Sequence, residues 1–278
     1  MSLSFVVTSY VQNDIQLRQL QRCINSIVNY SNYNYLYIIS NSINYDLNLL
    51  NNLFKDINNI VIMEGNDKKA AAGNAYELIL SLNDGSDYYC VFQDSMVLNK
   101  KIKDISYIND VQFLWHFTCN RNIWNNYSLL DKNDVIPEAV NNNFRNYTDL
   151  LRYHFINYCN KDEGLVKYAL HALNNMDIWC GCFGVCSIIK KETLRYLEDK
   201  CGIVSYLKRA RNPFDRTIEE NVFAIVCHYY LPQNYENSFD GLYYDGITIN
   251  RNNGTPVGVD GLIYAAQNEY ISKILFGR

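Results

Sequence analysis

The chain has 278 residues, 48% of them apolar, and a formal net charge of −4. That is enough to build one large domain or a domain with an appendage. Without a dominant Lys/Arg-rich face it does not suit a protein that tracks a nucleic-acid backbone. The nine cysteines are odd in number, no leader precedes Ser2, and no apolar stretch reaches the roughly 20 residues of a membrane helix. These features predict free thiols in a reducing, cytoplasmic setting.

The first half alternates strand and helix. Leu3–Thr8 reads as a buried strand, and Asp14–Val28 as a helix with Asp14 as its cap and Ile15, Leu20, Cys23, Ile24 and Ile27 as an apolar stripe. Strands follow at Leu36–Ile39, Ile60–Met63 and Tyr88–Phe92, separated by helices at Asp46–Phe54 and Ala70–Leu82 and by the turn Asn83-Asp84-Gly85-Ser86. This spacing predicts right-handed βαβ crossovers and a parallel sheet, an α/β fold with ligands bound at the carboxyl ends of the strands.

The pattern loosens after Met96. Val111–Thr118 reads as a strand, Asn120–Asn143 as irregular, and Tyr147–Cys159 and Glu163–Asn174 as helices. Ile178–Ile189 is an apolar strand region broken by Gly181 and Gly184. Lys191–Lys200 is a helix stopped by Gly202. Thr217–Tyr230 reads as a helix whose Thr217 and Glu220 fit a capping box. Gly241–Gly261 reads as loops and Ala265–Leu275 as a last helix. No repeat or linker divides the chain, so residues 1–278 are expected to form a single domain. About 1–98 would be its regular α/β half and about 99–278 its looser remainder.

Four short segments carry chemistry. Thr8-Ser9-Tyr10 ends the first strand, Ser40-Asn41-Ser42 the second, and Gln93-Asp94-Ser95 the fourth, while Ala72-Gly73-Asn74 opens a helix. In this order and spacing they resemble the GT-A-fold glycosyltransferases of the inverting, family-2-like class. The likeness covers residues 3 to 98 and continues more patchily at Trp179–Val185 and Arg216–His228.

The resemblance implies that about 1–98 is a Rossmann-like half holding a nucleoside-diphosphate sugar, most simply a UDP-sugar, and that about 99–278 is the acceptor-side half. Thr8, Ser9, Tyr10, Ser40, Asn41, Lys69, Gly73, Asn74, Gln93, Asp94 and Arg211 would then be donor-side residues. It implies Mn²⁺ or Mg²⁺ on Asp94 and Ser95. With one carboxylate in the triplet, the substrate would have to supply most of the ligands. Lys68 and Lys69 stand before a helix amino terminus, a position that favours phosphate. One of Lys208, Arg209, Arg211 and Arg216, on a loop before Thr217, would steady the diphosphate if the metal binds weakly. Glu219 or Glu220 would deprotonate the acceptor hydroxyl of a glycan or protein. Trp179, Gly181 and Phe183 would face that acceptor.

Cys180, Cys182 and Cys186 lack the paired spacing of a zinc site, and His228 reads first as a core histidine. Neither a Gly-x-x-x-x-Gly-Lys-Ser/Thr loop nor a Gly-x-Gly-x-x-Gly turn follows the first strand, which argues against nucleotide triphosphatases and dinucleotide dehydrogenases. Two alternatives stand beside the transferase: a non-catalytic binder of sugar or nucleotide on the same fold, and a sugar-nucleotide nucleotidyltransferase. The Asn-, Ile- and Tyr-rich composition would suit a large DNA virus or an AT-rich microbe.

Overall fold

The structure, a computed structural model, describes residues 1–42, 46–102, 105–120, 147–175, 178–211, 213–231, 262–265 and 271–275. The expected irregular segment Asn120–Asn143 and the loops of Gly241–Gly261 lie outside these, apart from Asn120 itself. The first half follows the predicted order: β1 Leu3–Ser9, α1 Asp14–Tyr30, β2 Leu36–Ser40, α2 Leu47–Phe54, β3 Ile60–Glu64, α3 Ala71–Ser81, β4 Tyr88–Gln93. Short strands β5 Met96–Leu98, β6 Val111–Phe113 and β7 His116–Asn120 come next, then α4 Tyr147–Tyr158 and α5 Glu163–Asn175. The chain continues through β8 Ile178–Cys182, a 3₁₀ turn at Phe183–Val185, β9 Ser187–Lys190, α6 Lys191–Cys201, α7 Ile203–Leu207 and α8 Pro213–Tyr230, with β10 Leu262–Ala265 and β11 Ile271–Leu275 last.

The main sheet has the order β3-β2-β1-β4-β9-β6. The first four strands are parallel, and β9 runs antiparallel between β4 and β6. Strand residues alternate between two cores. Phe5, Val7, Ile38, Cys90 and Phe92 pack with α1 and α2 on one face. Val6, Ile39, Tyr89 and Val91 pack with α3, α4, α5 and α8 on the other. A sheet covered on both faces explains why its strands read as continuous apolar runs.

Several expectations are corrected. The last segment is a hairpin and not a helix: β10 pairs with β11, and β11 pairs antiparallel with β5 through Ile271↔Leu98. An apolar run of four or five residues has no period long enough to separate helix from strand, so β5 decides by supplying backbone partners. Val111–Thr118 is split between two sheets, because β6 joins the main sheet and β7 pairs with β8. The cap of α1 is Asn13, whose Oδ1 accepts the Gln16 N–H at 3.0 Å. Ile15 is 44% exposed and lies outside the apolar stripe.

Helix α8 begins at Pro213, four residues before Thr217, because proline is preorganised for a first helical position. Thr217 and Glu220 are therefore interior residues, and Arg216 belongs to the helix instead of the preceding loop. The stop of α6 at Gly202, with φ of 70°, is as expected.

Gly73 lets α3 press against the loop after α7. A Cβ there would lie 2.7 Å from the backbone carbonyl of Leu207 and from the Lys208 Cα, atoms that cannot turn aside. Gly73→Ala should therefore destabilise the protein by about 1–3 kcal/mol, the usual range for overpacking. Urea denaturation checks this; an unchanged midpoint would show that the α3–α7 contact yields easily.

Candidate functional site

The site lies where the parallel strands end. Register places Ser9 beside Ser40, Ser40 beside Glu64, and Thr8 beside Gln93, so the residues leaving each strand share one edge. Asp94 binds that edge together: its N–H donates to Thr8 O at 3.0 Å, and its Oδ2 accepts the Tyr10 N–H at 2.7 Å. The loop after β2 is held by Asn41 N–H to Ser9 O at 2.8 Å, and Ser42 Oγ accepts the Val11 N–H at 2.8 Å. A cleft of about 450 Å³ opens above these groups, a size ordinary for small-ligand sites. Thr8, Ser9, Tyr10, Asn41, Gln93 and Asp94 all line it, as do Lys68 and Arg216.

Asn74 does not line the cleft. It is buried and fixes what does: its Nδ2 donates to Asn41 Oδ1 at 2.8 Å and to Asp67 O at 2.7 Å. This orients the Asn41 amide, whose own Nδ2 is buried without a hydrogen-bond partner. Ser9 Oγ is in the same condition. An unmet buried polar group costs about 1–3 kcal/mol, so its presence on a cleft wall favours a ligand that would meet it.

A hollow of about 70 Å³ shares Thr8, Ala71, Gln93 and Arg216 with the cleft and is also lined by Glu219 and Glu220. The two carboxyls differ. Glu220 is half-buried, and its Oε1 accepts the Gly184 N–H at 2.7 Å. Gly184 has φ of 64°, which glycine adopts without strain. Its carbonyl faces Gln93 Nε2 at 3.4 Å. Glu219 is 3% exposed, with Oε1 unmatched. Burial pushes its carboxyl well above the usual range; Asp215 and Glu220 act in the same direction, while Arg216 and the Ala210 N–H oppose them. Glu219 also borders a separate pocket of about 90 Å³ with His154, Tyr206 and Arg209.

Other expected residues are placed elsewhere. Gly73 serves helix packing, and Ser40 is buried with its carbonyl accepting the Gly65 N–H at 2.9 Å. Lys69 is exposed outside the cleft wall, which Lys68 lines instead. Arg211 pairs with Asp67 at 3.0 Å, Lys208 pairs with Glu77, and Arg209 lies 4.2 Å from the Tyr158 ring centroid. Phe183 packs edge-on against Trp115, and Gly181 is a buried member of the β7–β8 pair. Trp179 pairs through its backbone with Cys119. His228 is half-buried, and burial together with His116 lowers its pKa to about 4.

Magnesium or manganese needs an octahedral set of hard oxygens. Asp94 is the single carboxylate at the strand end, one of its oxygens already accepts a backbone N–H, and Ser95 is fully buried and off the cleft wall. No group of three or more His, Cys, Asp or Glu among the described residues is placed to hold a metal ion. These residues do not fit a resident divalent ion.

Fold and site together define an α/β protein with a ligand cleft at the carboxyl edge of its sheet and an acidic pair beside it. The chain is similar in structure to S. aureus TarS 1-349, with a TM-score of 0.39 and 8% identity over 80% of this chain and 55% of that one. For the apo bifunctional glycosyltransferase WbbM the values are 0.38 and 12%, over 80% and 37%. For S. aureus TarS 1-349 in complex with UDP they are 0.30 and 10%, over 36% and 29%. This chain thus spans less than two thirds of each of these proteins. No protein-family model and no curated protein matches it.

Glu219 generates a pH prediction. The folded protein binds its proton more tightly than the unfolded chain does, so stability is lost as pH rises from the ordinary value of 4.5 through the raised folded value. Glu219→Gln removes that loss. Its melting temperature should exceed the parent's at pH 7 and converge with it near pH 4; a pH-independent difference would show that burial does not hold the proton on Glu219.

Proposed function

We propose that this protein is an inverting glycosyltransferase that moves a sugar from a UDP-sugar to a hydroxyl of a glycan or protein acceptor. The observation that carries the reading is that Ser9, Asn41 and Glu219, each with a buried polar atom without a hydrogen-bond partner, line a cleft and a hollow that share four wall residues. The nucleoside end of a donor would meet the first two. UDP as the nucleotide is taken from the motif resemblance at Thr8-Ser9-Tyr10 and Gln93-Asp94-Ser95.

Inverting transfer needs a base on the face of the sugar opposite the leaving group. Glu220 suits this role better than Glu219. Its half-buried carboxyl is oriented by the Gly184 N–H at the edge of the hollow, whereas burial favours the protonated form of Glu219. The acceptor oxygen would attack the anomeric carbon as Glu220 takes its proton, and the bond to the diphosphate would break with its electron pair. Thr8 and Gln93, on the wall common to cleft and hollow, would confine the sugar between diphosphate and base. No helix among the described residues is long and apolar enough to cross a membrane.

Donor consumption across a panel of UDP-sugars tests the reading. Glu220→Gln should lower turnover about 10²- to 10⁴-fold, the usual worth of general-base catalysis, and leave UDP affinity near the parent's. UDP binding with no turnover of any donor by the parent protein would favour the non-catalytic alternative, to which the single carboxylate of the strand-end triplet already points.

A further inference from the structure

Arg216 is oddly placed for a structural residue. It lies in the first turn of α8, where the helix dipole disfavours a cation. It is exposed, and among the described residues no hydrogen bond or close ion pair holds it, although its charge acts on Glu219. The neighbouring cations differ: Lys208 and Arg211 are paired with carboxylates, and Arg209 stacks on Tyr158. Lys68, which also lines the cleft, is paired with Glu64 at 2.6 Å. Arg216 lines both the cleft with Asp94 and the hollow with Glu219 and Glu220, so it stands between donor site and base.

We propose that Arg216 receives the diphosphate of the donor and stabilises it as the leaving group, in place of a resident divalent metal. The inference rests on the glycosyl-transfer reading and names the group that carries the charge in it. A guanidinium offers a planar fork of N–H donors that matches two phosphate oxygens, and it keeps its protons throughout. When the acceptor oxygen bonds to the anomeric carbon, the carbon–oxygen bond to the β-phosphate breaks and its electron pair stays on the diphosphate. The acceptor's proton goes to Glu220. Arg216 supplies hydrogen bonds to the oxygen that gains charge, which is where a preorganised donor helps most. The protein offers a metal one buried carboxylate at this position, whereas it offers the phosphate an exposed guanidinium that no close ion pair holds among the described residues.

Calorimetric titration of the whole protein with uridine, UDP and inorganic pyrophosphate, in EDTA and then in Mn²⁺, tests this. In EDTA, UDP should bind at least tenfold more tightly than uridine. Arg216→Ala should weaken UDP about 10- to 100-fold and abolish pyrophosphate binding while leaving uridine affinity unchanged. Arg216→Lys should recover part of the loss, because charge is restored without the fork. The melting temperature of Arg216→Ala should equal or exceed the parent's, which separates a binding loss from misfolding. UDP that gains over uridine only when Mn²⁺ is added, or a gap that survives Arg216→Ala, would overturn the proposal and leave the nucleotide reading intact. Failure of both uridine and UDP to bind, with or without Mn²⁺, would overturn both.

Discussion

Asp94 ties the end of β4 to the end of β1. Its N–H reaches Thr8 O, its carboxylate takes the Tyr10 N–H, and it is 4% exposed. A carboxylate buried this deeply needs hydrogen bonds, and here the backbone of the neighbouring strand end supplies one. The consequence is architectural. The chain leaving β1 is turned at the sheet edge, and Ser9, the last rung of the strand, and Tyr10 beyond it line the cleft. The acid at the end of β4 is part of the scaffold, and this weakens the metal expectation more than the count of carboxylates does.

The second support is the pair of asparagines. Asn41 ends the β2 edge and Asn74 opens α3, 33 residues apart, yet they share a 2.8 Å bond that fixes which way the Asn41 amide faces. Gly65 makes the approach possible, since a Cβ there would lie 2.2 Å from Asn41 Oδ1. The cleft wall is thus set by contacts between loops that the parallel register has already aligned. Its unmatched donors are held in place and not left to rotate toward each other.

Much of this was legible in the sequence. The alternating strands and helices of the first half, and the polar residues at three strand ends, follow from periodicity and from the rule that parallel sheets bind ligands at their carboxyl edge. The alignment of Thr8, Asn41 and Asp94 needed little more than that. What sequence reasoning missed depends on distant partners. Nothing local in Ile271–Leu275 tells that β5 will pair with it. The capping pattern at Thr217 was plausible by itself, and only Pro213 signalled the earlier helix start. That one-turn error hid Arg216 inside a supposed loop among Lys208, Arg209 and Arg211, with no means of telling the paired cations from the unpaired one. The signal was present in Pro213, because a helix begun there carries Arg216 on its first turn.

The Gly184 peptide joins the two halves of the proposed chemistry. Its N–H holds Glu220 and its carbonyl faces Gln93, so one peptide group stands between the β4 end and the start of α8. A Cβ at Gly184 would sit 2.6 Å from Gln93 Nε2, and so the close approach depends on glycine as well as on its positive φ. Gln93 occupies the position where a second acid would repel Glu220 through this peptide. An amide there can donate to the carbonyl and leaves the acids nearby as Asp94 and Glu220, with Arg216 lining the same cleft and hollow. On the proposed reading, the amide in the strand-end triplet is a consequence of bringing the proposed base close to the cleft, and the arginine would supply the charge that a second acid would have drawn in with a metal.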